Sequence, residues 1–317
     1  MSLILAPMHG LADAIMREHL TTIGGFDECV SEFIRITHTV HSNQTWLKSI
    51  PELTNNGRTL AGTPCTVQLL GSDLNTMPEN ALKVCQLGAN RIDLNFGCPA
   101  PSVNKHRGGA ILLKEPETIY QIVWAVKQQL PDNVRLTAKM RLGYEDTNLA
   151  LECAHAIERG GASMLTVHAR TKLEGYQPPA HWDWIRTIKE HIKLPVIANG
   201  DIFSLQDYIN IKKQTGCTHF MLGRGVLRRP DLAKQIQHYE QTGTIRPNES
   251  WLTIKEYIHQ FFKLCMDNNN LNKYPMARLK QWLNMLKNTY PEAKQLFEEI
   301  RPLQKNQEIA AVLEKNT

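Results

Sequence analysis

The chain reads as an α/β protein, a (β/α)8 TIM barrel followed by a small all-helical C-terminal bundle. Three observations predict this fold. Eight short β-like runs alternate with helical stretches over residues 1–243, the count and size of a closed barrel built from right-handed βαβ units. Unusual polar residues fall at the C-terminal ends of those runs, which in a barrel form a single face. Past Gly243 the runs stop and apolar residues recur at helical spacing. The chain therefore divides into a barrel, 1–243, and a helical part, 244–317. An open doubly wound sheet is the competing architecture.

The predicted strands are residues 3–6, 28–31, 66–70, 91–95, 134–140, 164–168, 195–198 and 219–223. The first runs into Ala6-Pro7-Met8, and the third carries Val67-Gln68-Leu69. The fourth opens into Asn95-Phe96-Gly97-Cys98-Pro99 and then a loop ending Gly108-Gly109-Ala110, where glycine and proline impose a constrained turn on Cys98. Pro116 fits the first turn of a helix over 115–130. The fifth strand holds Lys139 and Arg141. A helix beginning near Thr147 is stopped by Gly160-Gly161, after which the sixth strand delivers His168 and Arg170. The last two strands end in Ala198-Asn199-Gly200-Asp201 and Leu222-Gly223-Arg224-Gly225.

Residues 242–248 read as a linker. Beyond it, Ile254, Ile258, Phe261, Phe262 and Cys265 share one helical face, as do Leu279, Trp282, Leu283 and Leu286. Later turns repeat the pattern through Leu296 and Ile300, then Ile309 and Leu313.

Composition narrows the function classes. The 317 residues carry a formal charge of +5, which permits contact with a polyanion without the bias of a dedicated nucleic-acid arm. From Trp251 onward there are ten basic and seven acidic residues, so positive charge is denser in the tail. The seven cysteines are scattered, odd in number and never spaced Cys-x-x-Cys, which argues against a disulfide framework, a zinc site or an iron–sulfur cluster. No metal is expected. The N-terminal apolar stretch is too short for a signal peptide, and no run approaches the ~18 apolar residues of a membrane span. A cytoplasmic protein, acting as a monomer without a membrane, is the expectation.

A free cysteine is usually a small apolar filler, so Cys98 matters only through its setting. Lys139 inside Ala138-Lys139-Met140 is harder to assign to structure, because a buried ammonium needs an anionic partner. Glycines after the last two strands free backbone N–H groups where helices begin, and with Arg224 they suit a phosphate. Arg228 stands where a dinucleotide fingerprint starting at Gly223 would need its third glycine, so a Rossmann site is disfavoured. A phosphate cradle, a cationic lysine and Gln68 fit a flavin mononucleotide (FMN). The same residues also fit a Schiff-base lysine acting on a sugar phosphate.

Taken together, Ala6-Pro7-Met8, Val67-Gln68-Leu69, Asn95-Phe96-Gly97-Cys98-Pro99, Lys139-Met140-Arg141-Leu142-Gly143, Val167-His168-Ala169-Arg170-Thr171, Ala198-Asn199-Gly200-Asp201 and Gly223-Arg224-Gly225 resemble the tRNA-dihydrouridine synthases. The tail, with Lys273-Tyr274, Ala277-Arg278-Leu279-Lys280-Gln281-Trp282-Leu283 and Glu299-Ile300-Arg301, looks most like the bacterial subfamily called DusC, which modifies uridine 16 of the D-loop. The resemblance implies an FMN-containing barrel, a C-terminal tRNA-binding domain and NADPH as electron source. It implies that Pro7, Met8, Gln68, Lys139, His168, Asn199, Gly200, Asp201, Gly223 and Arg224 hold FMN. It further implies that Asn95 and Arg141 contact the uracil, that Cys98 is the acid, and that Arg35, Tyr274, Arg278 and Arg301 contact tRNA. Two departures stand out: Ala169 replaces a frequent glycine, and His9 replaces a frequent acidic residue. Neither side chain is needed for reduction of a uracil. Rival readings are a flavin reductase of free pyrimidines, the lysine aldolase, and a non-enzymatic RNA-binding protein.

Overall fold

The computed structural model describes residues 1–268 and 273–315. Its strands are β1 (Ser2–Leu5), β2 (Glu28–Val30), β3 (Ile34–Arg35), β4 (Cys65–Leu70), β5 (Arg91–Phe96), β6 (Arg135–Gly143), β7 (Met164–Thr171), β8 (Val196–Asn199) and β9 (His219–Leu222). All their pairings are parallel. The order β2-β1-β9-β8-β7-β6-β5-β4 closes on itself because β2 also pairs with β4, at Cys29 opposite Cys65. Closure excludes the doubly wound sheet, and the eight expected strands are the eight staves of the barrel. β3 is an addition. Its two residues pair only with the end of β4, Ile34 opposite Leu69 and Arg35 opposite Leu70, so it thickens the rim.

Alternation along each strand decides what points inward. Register sets Gln68 beside Asp93, Asp93 beside Thr137, Asn95 beside Lys139, Arg141 beside His168, and His168 beside Asn199. These residues therefore share the inner face. The alternate residues, such as Leu94, Met140, Val167 and Phe220, are buried outward against the helices.

Two strands run longer than expected, and this corrects the placement of two polar residues. β6 extends to Gly143 and β7 to Thr171, so Arg141 and Arg170, which lay past the expected strand ends, lie within strands. The cause is mutual pairing of β6 and β7 past their other neighbours, with a register shift between Arg141 and Gly143. Only glycine fits at 143, where φ is +159° and a Cβ would lie 1.8 Å from the Asp146 carbonyl oxygen. The helix expected near Thr147 starts later, at Ala150, because the Asp146 carboxylate accepts from the Asn148 N–H and holds a turn ahead of it.

Among the described residues four helices follow the linker: Trp251–Asn268, Tyr274–Leu286, Pro291–Ile300 and Asn306–Lys315. Their predicted apolar faces are buried, and they join the core outside the barrel. His19 of the helix Ala14–Ile23 is packed edge-on against Trp282, 5.1 Å between ring centres, and lies 5.4 Å from Phe261. Trp282 Nε1 donates to the Leu227 carbonyl at 3.1 Å. Among the described residues no helix is long and apolar enough to cross a membrane.

Candidate active site

A cavity of about 530 Å³ opens at the C-terminal ends of the strands. It is lined by Pro7 and Met8 after β1, by Asn95 from β5 and Cys98 in the turn after it, and by Lys139, Arg141 and His168 from β6 and β7. Asn199, Gly200, Asp201, Gly223 and Arg224 close the opposite wall.

Cys98 sits in a turn whose every backbone group is held. Its N–H donates to Asn95 Oδ1 at 2.8 Å, beside the Gly97 N–H at 2.9 Å. Its carbonyl accepts from Asn104 Nδ2 at 3.0 Å and from the Ala110 N–H at 3.1 Å. Gly109, at φ +67°, allows this approach, since a Cβ there would lie 2.9 Å from the Cys98 Cβ. The thiol is 8% exposed. Burial pushes it above the ordinary thiol range, while the Ala100 N–H, Arg141 and Lys139 pull the other way. It is therefore protonated at neutral pH, a proton donor and not a thiolate.

Lys139 faces the cavity and makes no hydrogen bond or ion pair among the described residues. Burial, then Arg141, lower its ammonium to about 8, against the upward pull of Asp93 and Cys98. Such a group wants an anion. His168 is pushed well below the usual imidazole range by burial and by Arg141, Lys139, Arg170 and Arg224, so it is neutral. Arg141 is nearly enclosed. Its Nε donates to the Gly97 carbonyl at 3.0 Å, and Nη1 donates to the Thr171 and Gly175 carbonyls, each at 2.9 Å. Arg141 thus locks the Cys98 turn to the loop after β7.

The opposite wall is a cradle. The short helix Arg224–Arg228 starts at the cavity, where the first N–H groups of a helix lack internal acceptors. A Cβ on Gly225 would lie 2.0 Å from the Ile202 carbonyl oxygen, so the close approach of these two loops demands glycine. Asn199 Nδ2 donates to the Met221 carbonyl at 2.8 Å and ties the last two strands together. Asp201, at φ +54°, spends its carboxylate on Arg170 and on the Ala180 N–H. It shapes the wall through the loop it holds.

The remaining expected site residues lie elsewhere. Gln68 is fully buried one layer below the cavity floor, its amide shared between Asp93 and Asn95. Tyr274 donates to the Asp13 carboxylate, and Arg278 donates to the Gly10 and Leu11 carbonyls and to Asp13, at 2.9, 2.8 and 3.2 Å. Both side chains are engaged inside the protein, where they hold the loop after β1 against the helical part. Arg301 is exposed and lies 3.5 Å from Glu298. Arg35 sits on the rim at β3.

Sequence reasoning missed Tyr176. Its ring lies in the cavity wall beneath two guanidiniums, with Arg224 4.3 Å and Arg141 5.2 Å from its centre. The signal was an aromatic residue in a polar loop, Glu174-Gly175-Tyr176-Gln177, directly after a strand that carries site residues. Phe33 was missed as well. It lines the mouth and stacks on His9, 4.8 Å between ring centres.

A lysine without a partner, an arginine and a glycine-only helix start around one cavity suit an anionic phosphate-bearing cofactor, and the volume is in the range of such sites. The residues therefore fit FMN.

A family model described as dihydrouridine synthase (Dus) matches residues 4–317. A Neisseria meningitidis serogroup A protein named tRNA-dihydrouridine(16) synthase is 59% identical over 311 residues, covering 98% of this chain and 93% of the relative. Proteins of the same name from Pseudomonas syringae and Shewanella oneidensis are 47% and 42% identical, covering 95% and 99% of this chain and 94% and 98% of the relatives. Among solved structures, an old yellow enzyme homologue from Zymomonas mobilis aligns with a TM-score of 0.52 at 13% identity, over 78% of this chain and 90% of that one. Histamine dehydrogenase from Rhizobium sp. 4-9 aligns at 0.55 and 14% identity, over 83% of this chain and 48% of that one. At such identities the two structures speak for the barrel fold alone.

Proposed function

The chain belongs to the dihydrouridine synthase family, and from that membership we propose that it reduces the C5–C6 double bond of uridine 16 in the D-loop of tRNA. FMN is the proposed resident cofactor and NADPH the proposed electron source. Membership displaces the lysine-aldolase and free-pyrimidine readings. The observation that carries the mechanism is a buried thiol fixed in a rigid turn on the wall of a cavity that also holds a lysine with no hydrogen-bond or ion-pair partner among the described residues.

Reduction of a uracil needs a hydride at C6 and a proton at C5. The flavin, when bound, supplies the hydride. Lys139, Arg224 and the N–H groups at the start of Arg224–Arg228 would hold the flavin and its phosphate. Cys98 supplies the proton from Sγ, and burial keeps that proton in place until charge develops on the base. Lys139 and Arg141 offset the negative charge that builds on the base oxygen. The Asn95 amide, with its oxygen bound to the turn, offers N–H to a base carbonyl. Neutral His168 contributes a hydrogen bond without adding a further cation to a crowded site.

The base lies inside folded tRNA, so the enzyme must take it out at a cost of roughly a few kcal/mol. Phosphate contacts offset that cost, and we assign them to residues 244–317, Arg301 among them, and to the rim at Arg35. Binding should therefore weaken steeply with salt. The protein is proposed to act as a cytoplasmic monomer.

The test is dihydrouridine mapping in tRNA from cells lacking this protein. Loss confined to position 16, restored by the intact gene and not by a Cys98→Ala copy, is the expected result. Loss at another position would overturn the choice of uridine, and no loss would overturn the activity.

A further inference from the structure

We propose that Asp93 is a positioning residue that fixes the direction of a buried amide chain, so that Asn95 presents the cavity with a hydrogen-bond donor and the site selects a base by its ring carbonyl. The carbonyl-selection clause rests on the proposed reaction; the chain itself does not.

Five hydrogen bonds make the chain. Thr137 Oγ1 donates to Asp93 Oδ1 at 2.6 Å, and Gln68 Nε2 donates to Asp93 Oδ2 at 2.7 Å. Asn95 Nδ2 donates to Gln68 Oε1 at 2.8 Å. Asn95 Oδ1 then accepts from the Gly97 and Cys98 N–H groups at 2.9 and 2.8 Å. The side chains of Gln68 and Asp93 are 0% and 2% exposed, so water cannot substitute for a missing partner.

Both ends of the chain dictate the same polarity. A carboxylate only accepts, so Gln68 must turn its NH2 toward Asp93 and its oxygen toward Asn95. A backbone N–H only donates, so Asn95 must turn its oxygen toward the Cys98 turn and its NH2 toward Gln68. One hydrogen of that NH2 remains for the cavity, and Asn95 lines it. A uracil carbonyl can accept this hydrogen, whereas an exocyclic amino group at that place would leave two donors facing each other. Burial raises the Asp93 carboxyl to about 6, with the bonds from Thr137 and Gln68 and the charge of Lys139 opposing, so it is ionised at neutral pH.

The polarity is testable without tRNA or flavin. In Asn95→Asp the turn still finds an acceptor, but the second oxygen meets Gln68 Oε1. Gln68 must then flip and point its own oxygen at Asp93. Asp93→Asn supplies the missing donor, so in the double variant both bonds of the Gln68 amide can run in reverse while the two ends of the chain keep their direction. Thermal unfolding of the purified chain should show Asn95→Asp melting roughly 5 °C below wild type and the pair Asp93→Asn/Asn95→Asp recovering most of that loss. A second measurement covers failure of Asn95→Asp to fold. Asp93→Asn alone leaves the turn as the one group that sets the direction and removes the charged anchor of Gln68, so Asn95 is held less firmly, and hydrogen exchange at Gly97 and Cys98 should speed at least ten-fold while Phe220 and Leu222 across the barrel stay protected. Additive destabilisation in the cycle, or exchange that is unchanged or raised everywhere, overturns the relay. For the selection clause, Asp93→Asn should lower kcat on tRNA about ten-fold with KM unchanged; a drop carried by KM overturns that clause. Failure of the wild-type protein to form dihydrouridine would refute the reaction and leave the relay standing.

Discussion

The two halves of the barrel interior are built from opposite materials. Strands β8, β9, β1 and β2 line it with Ile197, Met221, Ile4, Ala6 and Val30, which pack on one another. Strands β4 to β7 line it with Gln68, Asp93, Asn95, Thr137, Lys139 and His168. The aliphatic cluster itself is stable by burial, apart from the hydrogen-bonded Asn199 and Glu28 on the same strands. In the polar half each ionisable group is displaced toward its neutral form, with Asp93 and Cys98 raised and Lys139 and His168 lowered, and burial is the leading cause in all four. The polar half therefore costs the empty protein stability that it regains only by holding a charged or hydrogen-bonding partner. Substitutions should sort accordingly: function is lost on one side, stability on the other.

The largest effect should come from Cys98→Ala. Removal of a positioned acid predicts a fall in dihydrouridine formation of roughly 10²- to 10⁴-fold. The melting temperature should hardly move, because Cys98 packs only in a small satellite cluster with Leu70 and Val103. A large drop in melting temperature with activity retained would invert the contrast between the halves.

Lys139→Met comes next, and it sharpens the contrast through pH. The folded ammonium titrates at about 8, below its ordinary 10.5. Between those values the unfolded chain holds a proton that the folded one has released, so stability rises as pH rises from about 8 toward 10.5. Flavin binding moves the opposite way, since the charge that attracts the anion is lost above 8. Calorimetry of the flavin-free protein should show the stability gain in wild type and its absence in Lys139→Met. The variant should also release flavin more readily at neutral pH. A stability curve identical in the two proteins would mean that Lys139 is solvated like any surface lysine.

Much of this layout was legible in the sequence, and the reasons for the gaps are physical. Strand count, closure and the Cys98 turn follow from apolar alternation and from glycine and proline, which act over a few residues. The extra length of β6 and β7 does not, because it depends on pairing between strands more than twenty residues apart. The same limit hid the use of Tyr274 and Arg278: both are basic or polar residues on a tail, yet Asp13 and the carbonyls of Gly10 and Leu11, over 260 positions away, consume them. Gln68 was recognisable as a polar residue inside the barrel, though it lies below the cavity and does not line it. Its partners on β5 were not, since Asp93 and Asn95 reveal their common face only once the strand is known to alternate in toward Gln68. Tyr176 lies in a loop, where spacing carries no periodic signal.

On the aliphatic half, Ile197→Val removes one methylene from the cluster with Ile4 and Met221. The expected loss is about 0.5–1.5 kcal/mol by denaturant unfolding, with turnover within two-fold of wild type. A greater effect on turnover than on stability would show that the two halves are mechanically coupled.

The smallest effect belongs outside the barrel, at Arg301→Ala. Its guanidinium is 67% exposed and pairs with Glu298 at 3.5 Å, a contact worth little in water. Stability should be unchanged. If Arg301 meets a tRNA phosphate, its removal releases one fewer counterion, and the slope of log affinity against log salt should become shallower by about 0.7–0.9. Filter binding of tRNA across a salt series measures that slope directly. An unchanged slope would move the phosphate contact to other basic residues and leave Arg301 as an ordinary solvated charge, whereas a shallower slope with unaltered kcat would separate the docking surface from both halves of the barrel.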